Sequence, residues 1–99
     1  MKFMTEENKL EKKLVKAVKE RGGIALKLVS PGFAGLPDRL ILIAYGKIAF
    51  VEVKAPGKKP RPLQVTRHEQ LRNLGFKVYT LDDECQIKTI LEEVMQNEL

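Results

Sequence analysis

Two short clusters concentrate charge where apolar strands are expected: Gly35-Leu36-Pro37-Asp38, and Val51-Glu52-Val53-Lys54. Burying one such charge without a partner costs roughly several kcal/mol, so two carboxylates and an amine in this setting ask for a counterpart. A divalent cation is the natural one. Hydrolysis of a phosphodiester needs an activated water, neutralisation of charge on the phosphorane-like transition state and help for the leaving oxygen. Mg²⁺ suits all three tasks and prefers one or two carboxylates plus water and phosphate oxygens. Asp38 and Glu52 offer the carboxylates and the Val53 carbonyl a neutral ligand. Lys54, two residues beyond Glu52, shares its face of the strand and can reach the attacking water or the phosphate.

Those residues must be carried by flanking elements. Leu10, Leu14, Ala17 and Val18 recur at helical spacing from Thr5, a plausible N-cap, to Arg21, and Gly22-Gly23 ends the run. Ile24 to Val29 is a strand, followed by a loop from Ser30 to Pro37 whose glycines and prolines forbid regular structure. Leu40 to Ala44 and Ile48 to Val53 flank Tyr45-Gly46-Lys47 as an antiparallel hairpin. A basic, proline-rich loop follows, from Ala55 to Pro62, then a helix from Leu63 to Leu74 that Gly75 caps, a strand from Phe76 to Leu81, and a helix over about Asp83 to Met95. The order α-β-β-β-α-β-α gives an α/β fold with a mixed sheet flanked by helices, in one domain spanning 1–99.

The chemistry restricts the hairpin. A two-residue Tyr45-Gly46 turn pairs Asp38 with Val53 and sends the two carboxylates to opposite faces of the sheet. A three-residue loop, Ala44-Tyr45-Gly46 with Gly46 left-handed, pairs Asp38 with Glu52 and puts both on one face. The three-residue loop, or a bulge of the same effect, is therefore expected.

Composition narrows the classes further. Lysine and arginine total 18 against 13 acidic residues, a formal charge of +5 that favours a polyanionic partner, though basic surfaces also occur elsewhere. A lone cysteine, Cys85, excludes an intrachain disulfide and a thiolate zinc site within one chain. Met1 to Glu7 lacks the apolar run of a signal peptide, and no stretch approaches the ~20 apolar residues of a membrane span, so a cytoplasmic protein with no membrane partner is expected. At 99 residues the core is modest, and dimerisation would help it.

Pro37-Asp38 followed by Glu52-Val53-Lys54 resembles the signature of the PD-(D/E)XK, restriction endonuclease-like superfamily, whose core is the same α-β-β-β-α-β arrangement, here with an extra C-terminal helix. More narrowly, Gly35-Leu36-Pro37-Asp38-Arg39, Phe50-Val51-Glu52-Val53-Lys54, Gln64 and Gly75 are similar to the VRR-NUC subfamily, over nearly the whole chain. The resemblance implies that Asp38, Glu52 and the Val53 carbonyl bind Mg²⁺ or Mn²⁺, that Lys54 is the catalytic lysine, that Glu11 assists the metal through water and that Gln64 lies near the active site. It further implies a DNA endonuclease of phage or bacterial type, in its small form a homodimer that cuts branched DNA resembling a Holliday junction.

The remaining candidates surround that centre. Lys58, Lys59 and Arg61 follow the catalytic strand and can contact flanking DNA phosphates, which position a duplex without reading bases. Phe33 and Leu36, before Asp38, could wedge against bases, pack a dimer interface or simply anchor their loop. His68, one turn beyond Gln64 on the same helical face, could touch DNA or relay a proton, but a lone histidine on a polar helix is more commonly a solvated surface residue. A nucleic-acid-binding module with a dead site and a sequence-specific restriction-type enzyme are the competing readings.

Overall fold

The computed structural model describes residues 4–96 of the chain. Helix α1 (Glu6–Glu20) is followed by strands β1 (Ile24–Lys27), β2 (Arg39–Ile43) and β3 (Lys47–Val53), helix α2 (Pro62–Asn73), strand β4 (Lys77–Leu81) and helix α3 (Gln86–Met95). The four strands form one sheet in the order β1-β2-β3-β4. The first two pairings are antiparallel and the β3/β4 pairing is parallel, reached by the α2 crossover. The expected order and mixed sheet are therefore observed.

Local chemistry sets the ends of these elements. The Thr5 hydroxyl accepts from the Asn8 N–H at 3.0 Å, capping α1 as its position in the sequence implies. Pro62 opens α2, where its missing N–H has no cost, and Gly75, at φ 97°, closes it with the Phe76 N–H bonded to the Leu71 carbonyl. Helix α3 starts later than the sequence suggests, because Asp83 Oδ1 accepts from the Cys85 N–H and Gln86 Oε1 from the N–H groups of Asp82 and Asp83. Those bonds hold 82–85 in a turn. Strand β1 stops at Lys27 rather than Val29, with a single further bond from the Leu28 N–H to the Asp38 carbonyl.

The sheet separates two environments. Odd-numbered residues of β2 and β3, Ile41, Ile43, Ala49, Val51 and Val53, join Leu81 and the apolar stripes of α1 (Leu10, Leu14, Val18) and α3 (Ile87, Ile90, Leu91, Val94) in one core. Period-two alternation then sends Leu40, Leu42, Ile48, Phe50 and Glu52 to the opposite face. On that face Phe50 meets Phe76 edge-on, with ring centroids 5.6 Å apart. Helix α2 packs towards β4, and Ile24 (57% exposed), Leu26 (44%) and Ile48 (38%) stay open to solvent. Among the described residues no helix is long and apolar enough to cross a membrane.

The hairpin register is the three-residue solution. Ile43 pairs with Lys47 and Arg39 with Val51, leaving Ala44-Tyr45-Gly46 as the loop and aligning Asp38 with Glu52. Gly46 is left-handed as expected at φ 71°, but so is Tyr45 at φ 66°, a conformation that glycine or asparagine adopts with less strain. Tyr45 is also 94% exposed, so its side chain contributes no packing in return. Replacing it should therefore stabilise the fold. Tyr45→Asn should raise the unfolding free energy by about 1 kcal/mol, read as a shift of the denaturant midpoint at unchanged slope.

Candidate active site

The site forms where the ends of β2 and β3 meet the first turns of α2. Asp38 sits immediately before β2, and its Oδ2 accepts from the Val53 N–H at 2.8 Å. That bond ties the carboxylate to the strand that carries Glu52. The two carboxylates belong to one face of the sheet, and the charge of Asp38 acts on Glu52 directly.

Glu52 is 1% exposed, the most deeply buried charged side chain described. Its two oxygens are treated unequally: Oε2 lies 3.1 Å from Lys54 Nζ and accepts from Gln64 Nε2 at 2.9 Å, whereas Oε1 is buried without a partner. Burial first, and then the neighbouring Asp38, push the Glu52 pKa above its ordinary 4.5, against the opposing pull of Lys54 and Gln64. A desolvated oxygen with free lone pairs beside a second carboxylate is a donor set for a hard cation.

Gln64 is placed by its own helix. Its Oε1 accepts from the Arg61 N–H at 2.9 Å, so the other end of the amide must be the NH₂ that faces Glu52. The side chain is 7% exposed and works as a bracket between the helix start and the carboxylate. Helix α2 as a whole is inverted: it buries Gln64 and His68 and leaves Leu63 (47%) and Val65 (42%) exposed.

His68 corrects the surface expectation, since it is 2% exposed and its Nε2 is buried without a partner. Burial lowers its pKa below the ordinary 6.5, as do the charges of Arg72 and Lys54, with Asp38 opposing, which marks it as a neighbour of the site. The available signal was its spacing from Gln64 on a helix that lacks an apolar stripe.

Glu11, the candidate metal ligand beyond Asp38, Glu52 and Val53, is already paired with a cation. It is held by Arg39, with Nε to Oε2 at 2.7 Å, and Arg39 also donates to the Ala25 carbonyl at 3.2 Å. Among the described residues, no group of three acidic, histidine or cysteine side chains gathers as a metal cage. Lys58, Lys59 and Arg61 are exposed on the loop between β3 and α2, beside the site and without an ion pair to any described residue.

Comparisons with known proteins agree with this geometry. A solved structure described as "VRR_NUC domain" superposes with a TM-score of 0.85 at 33% identity, covering 90% of this chain and 97% of that one. The chain belongs to the VRR-NUC nuclease family. A VRR-NUC assignment also accords with a relative from Acyrthosiphon pisum secondary endosymbiont phage 1, named "Putative nuclease p44", which is 51% identical over 81 residues, 82% of this chain and 87% of that protein. No family model matches the chain. In VRR-NUC terms, the structure brings together Asp38, Glu52, Lys54 and Gln64 and adds His68 behind them.

The raised pKa of Glu52 has a measurable sign. A carboxyl that holds its proton more tightly when folded favours the folded state least once both states are ionised. Relative to Glu52→Gln, the metal-free protein should therefore lose stability as pH rises from the ordinary carboxylate value of 4.5 through the raised pKa, and then level off. Parallel denaturant titrations of the two proteins from pH 4 to about pH 9 would measure this, and a difference independent of pH would contradict it.

Proposed function

We propose that this VRR-NUC protein is a Mg²⁺- or Mn²⁺-dependent DNA endonuclease, acting as a homodimer on branched, junction-like DNA. The observation that carries the metal dependence is the buried, unpartnered Oε1 of Glu52, on a carboxylate that shares one face of the sheet with Asp38. Asp38, Glu52 and the Val53 carbonyl would hold the ion, with Glu11 reaching it through water once Arg39 releases or shares it. When bound, the ion supplies Lewis acidity towards the scissile phosphate and makes water a better nucleophile near neutral pH.

The protein groups have separable tasks. Lys54 offers its ammonium to the attacking water or to the non-bridging phosphate oxygens, and its pairing with Glu52 Oε2 keeps it aimed at the site before substrate arrives. Gln64 fixes the Glu52 rotamer, so that Oε1 rather than Oε2 is left for coordination. Water forms the new bond to phosphorus as the bond to one sugar oxygen breaks; the proton that the water loses passes to solvent, and the departing oxygen takes one from solvent. Lys58, Lys59 and Arg61 can bind phosphates on either side of the cut.

Dimerisation is supported by the open side of the sheet. Ile24 and Leu26 on β1 and Ile48 on β3 lie on one face of the sheet, and a second copy related by a two-fold axis can cover them isologously. Leu26→Asp should therefore shift the protein from dimer to monomer in sedimentation or light scattering while retaining its fold. A wild type that is monomeric at micromolar concentration would count against the dimer.

Activity is tested with a four-way junction, a flap and an intact duplex, each incubated with Mg²⁺ or Mn²⁺. Cleavage of the junction should depend on the metal and fall by at least about a hundredfold in Lys54→Ala, the loss of one charge-stabilising group. Cleavage surviving that substitution would refute the mechanism. Binding without cleavage would favour the inactive-module reading, and cuts at fixed sites in unbranched DNA the restriction-type one.

A further inference from the structure

The glycine-rich loop before Asp38 is built onto α2 rather than left free. Arg67 Nε donates to the Ala34 carbonyl at 2.8 Å, and its Nη1 donates to Gln70 Oε1 at 2.9 Å. Gly35, left-handed at φ 89°, allows the close approach: a Cβ there would lie 2.8 Å from Arg67 Cγ and 3.0 Å from Leu63 Cγ. The Phe33 N–H closes a turn onto the Ser30 carbonyl at 3.1 Å. The Arg67 guanidinium then lies 3.9 Å from the centroid of the Phe33 ring.

Phe33 nonetheless remains 44% exposed. An apolar residue used only to anchor a loop would be buried by it, whereas here a cation lies over the ring and nearly half of the residue is still open to solvent. The platform is five residues from Asp38. Its support, α2, also carries Gln64 and begins at the basic loop of Lys58, Lys59 and Arg61. An aromatic ring backed by a guanidinium, on a loop tied to the helix that carries Gln64, has the character of a stacking surface for a nucleobase.

We infer that Phe33, stacked on Arg67, is a base-stacking platform that receives an unstacked DNA base at a discontinuity in the duplex and so directs cleavage to branched or gapped sites. This rests on the DNA endonuclease reading above and deepens it by naming the feature of the substrate that is recognised. A base inside an intact helix offers no free face to Phe33, so the gain is confined to DNA in which stacking is already interrupted.

The test uses two DNAs that carry one 2-aminopurine, either unpaired in a short gap or inside an intact duplex, with metal omitted for binding and Mg²⁺ added for cleavage. Wild-type protein should change the fluorescence of the gapped DNA, and Phe33→Ala should weaken binding and cleavage of that DNA about tenfold while altering the intact duplex less than about twofold. Phe33→Trp should restore the preference. Phe33→Leu, which keeps apolar bulk in the loop without an aromatic face, should behave like the alanine variant, and it carries the test if the alanine variant has a lowered melting temperature. Equal losses on both DNAs, or full activity of Phe33→Leu, would overturn the platform while leaving a Lys54-dependent nuclease intact. A wild type that neither binds nor cuts either DNA would overturn the nuclease reading and the platform together.

Discussion

The burial of Glu52 is the constraint on which the site depends. A carboxylate 1% exposed in a domain of this size is tolerated only if its surroundings restore what water supplied. Lys54 and Gln64 do so for one oxygen alone. A site that satisfied both oxygens would be a structural ion pair with little left to bind anything. Half-satisfaction, with Asp38 adding a second negative charge nearby, leaves a charge deficit that a small cation can fill.

Much of the rest follows from holding that arrangement. Gln64 must be inside, so α2 turns a polar side towards the sheet and leaves Leu63 and Val65 outside. Such a helix gains little from apolar burial, and its position is secured by specific bonds at both ends. Gln64 brackets its start, and the Gly75 cap together with Arg72 Nη2 on the Val78 carbonyl, at 2.9 Å, fixes its end to β4. Arg67 connects its middle to the loop that delivers Asp38. The helix is thus a part of the site that also completes the fold, in contrast to α1 and α3, whose apolar stripes reach the core.

The sequence was most readable where one physical signal acted alone. The stripes of α1 and α3 have helical period, and both are seen on the core side. The hairpin register was legible from chemistry rather than from propensity, because a two-residue turn sends Asp38 and Glu52 to opposite faces while a three-residue loop or an equivalent bulge puts them on one. The left-handed Tyr45 was not, since nothing in a tyrosine announces positive φ. His68 departs from expectation for a related reason: its residue type argues for the surface, while the helix that bears it has reversed its polarity. The Glu11–Arg39 ion pair was equally invisible, as it joins residues 28 positions apart through packing of α1 on the sheet.

The alternation of the sheet also imposes a trade. Strand β3 carries Ala49, Val51 and Val53 to one side and Ile48, Phe50 and Glu52 to the other, so stability and chemistry are served by opposite faces of the same seven residues. The core side is packed against α1 and α3. The other side cannot be covered in the same way, because a helix packed across β1 and β2 would close the approach to Asp38 and Glu52 that a polymeric substrate requires. The apolar residues left open there, Ile24, Leu26 and Ile48, are thus a consequence of access. Ile24 and Leu26 lie on β1, the edge strand opposite β4 and its packed helix α2, so a partner covering them can add buried surface to a small domain without closing the entrance to the site.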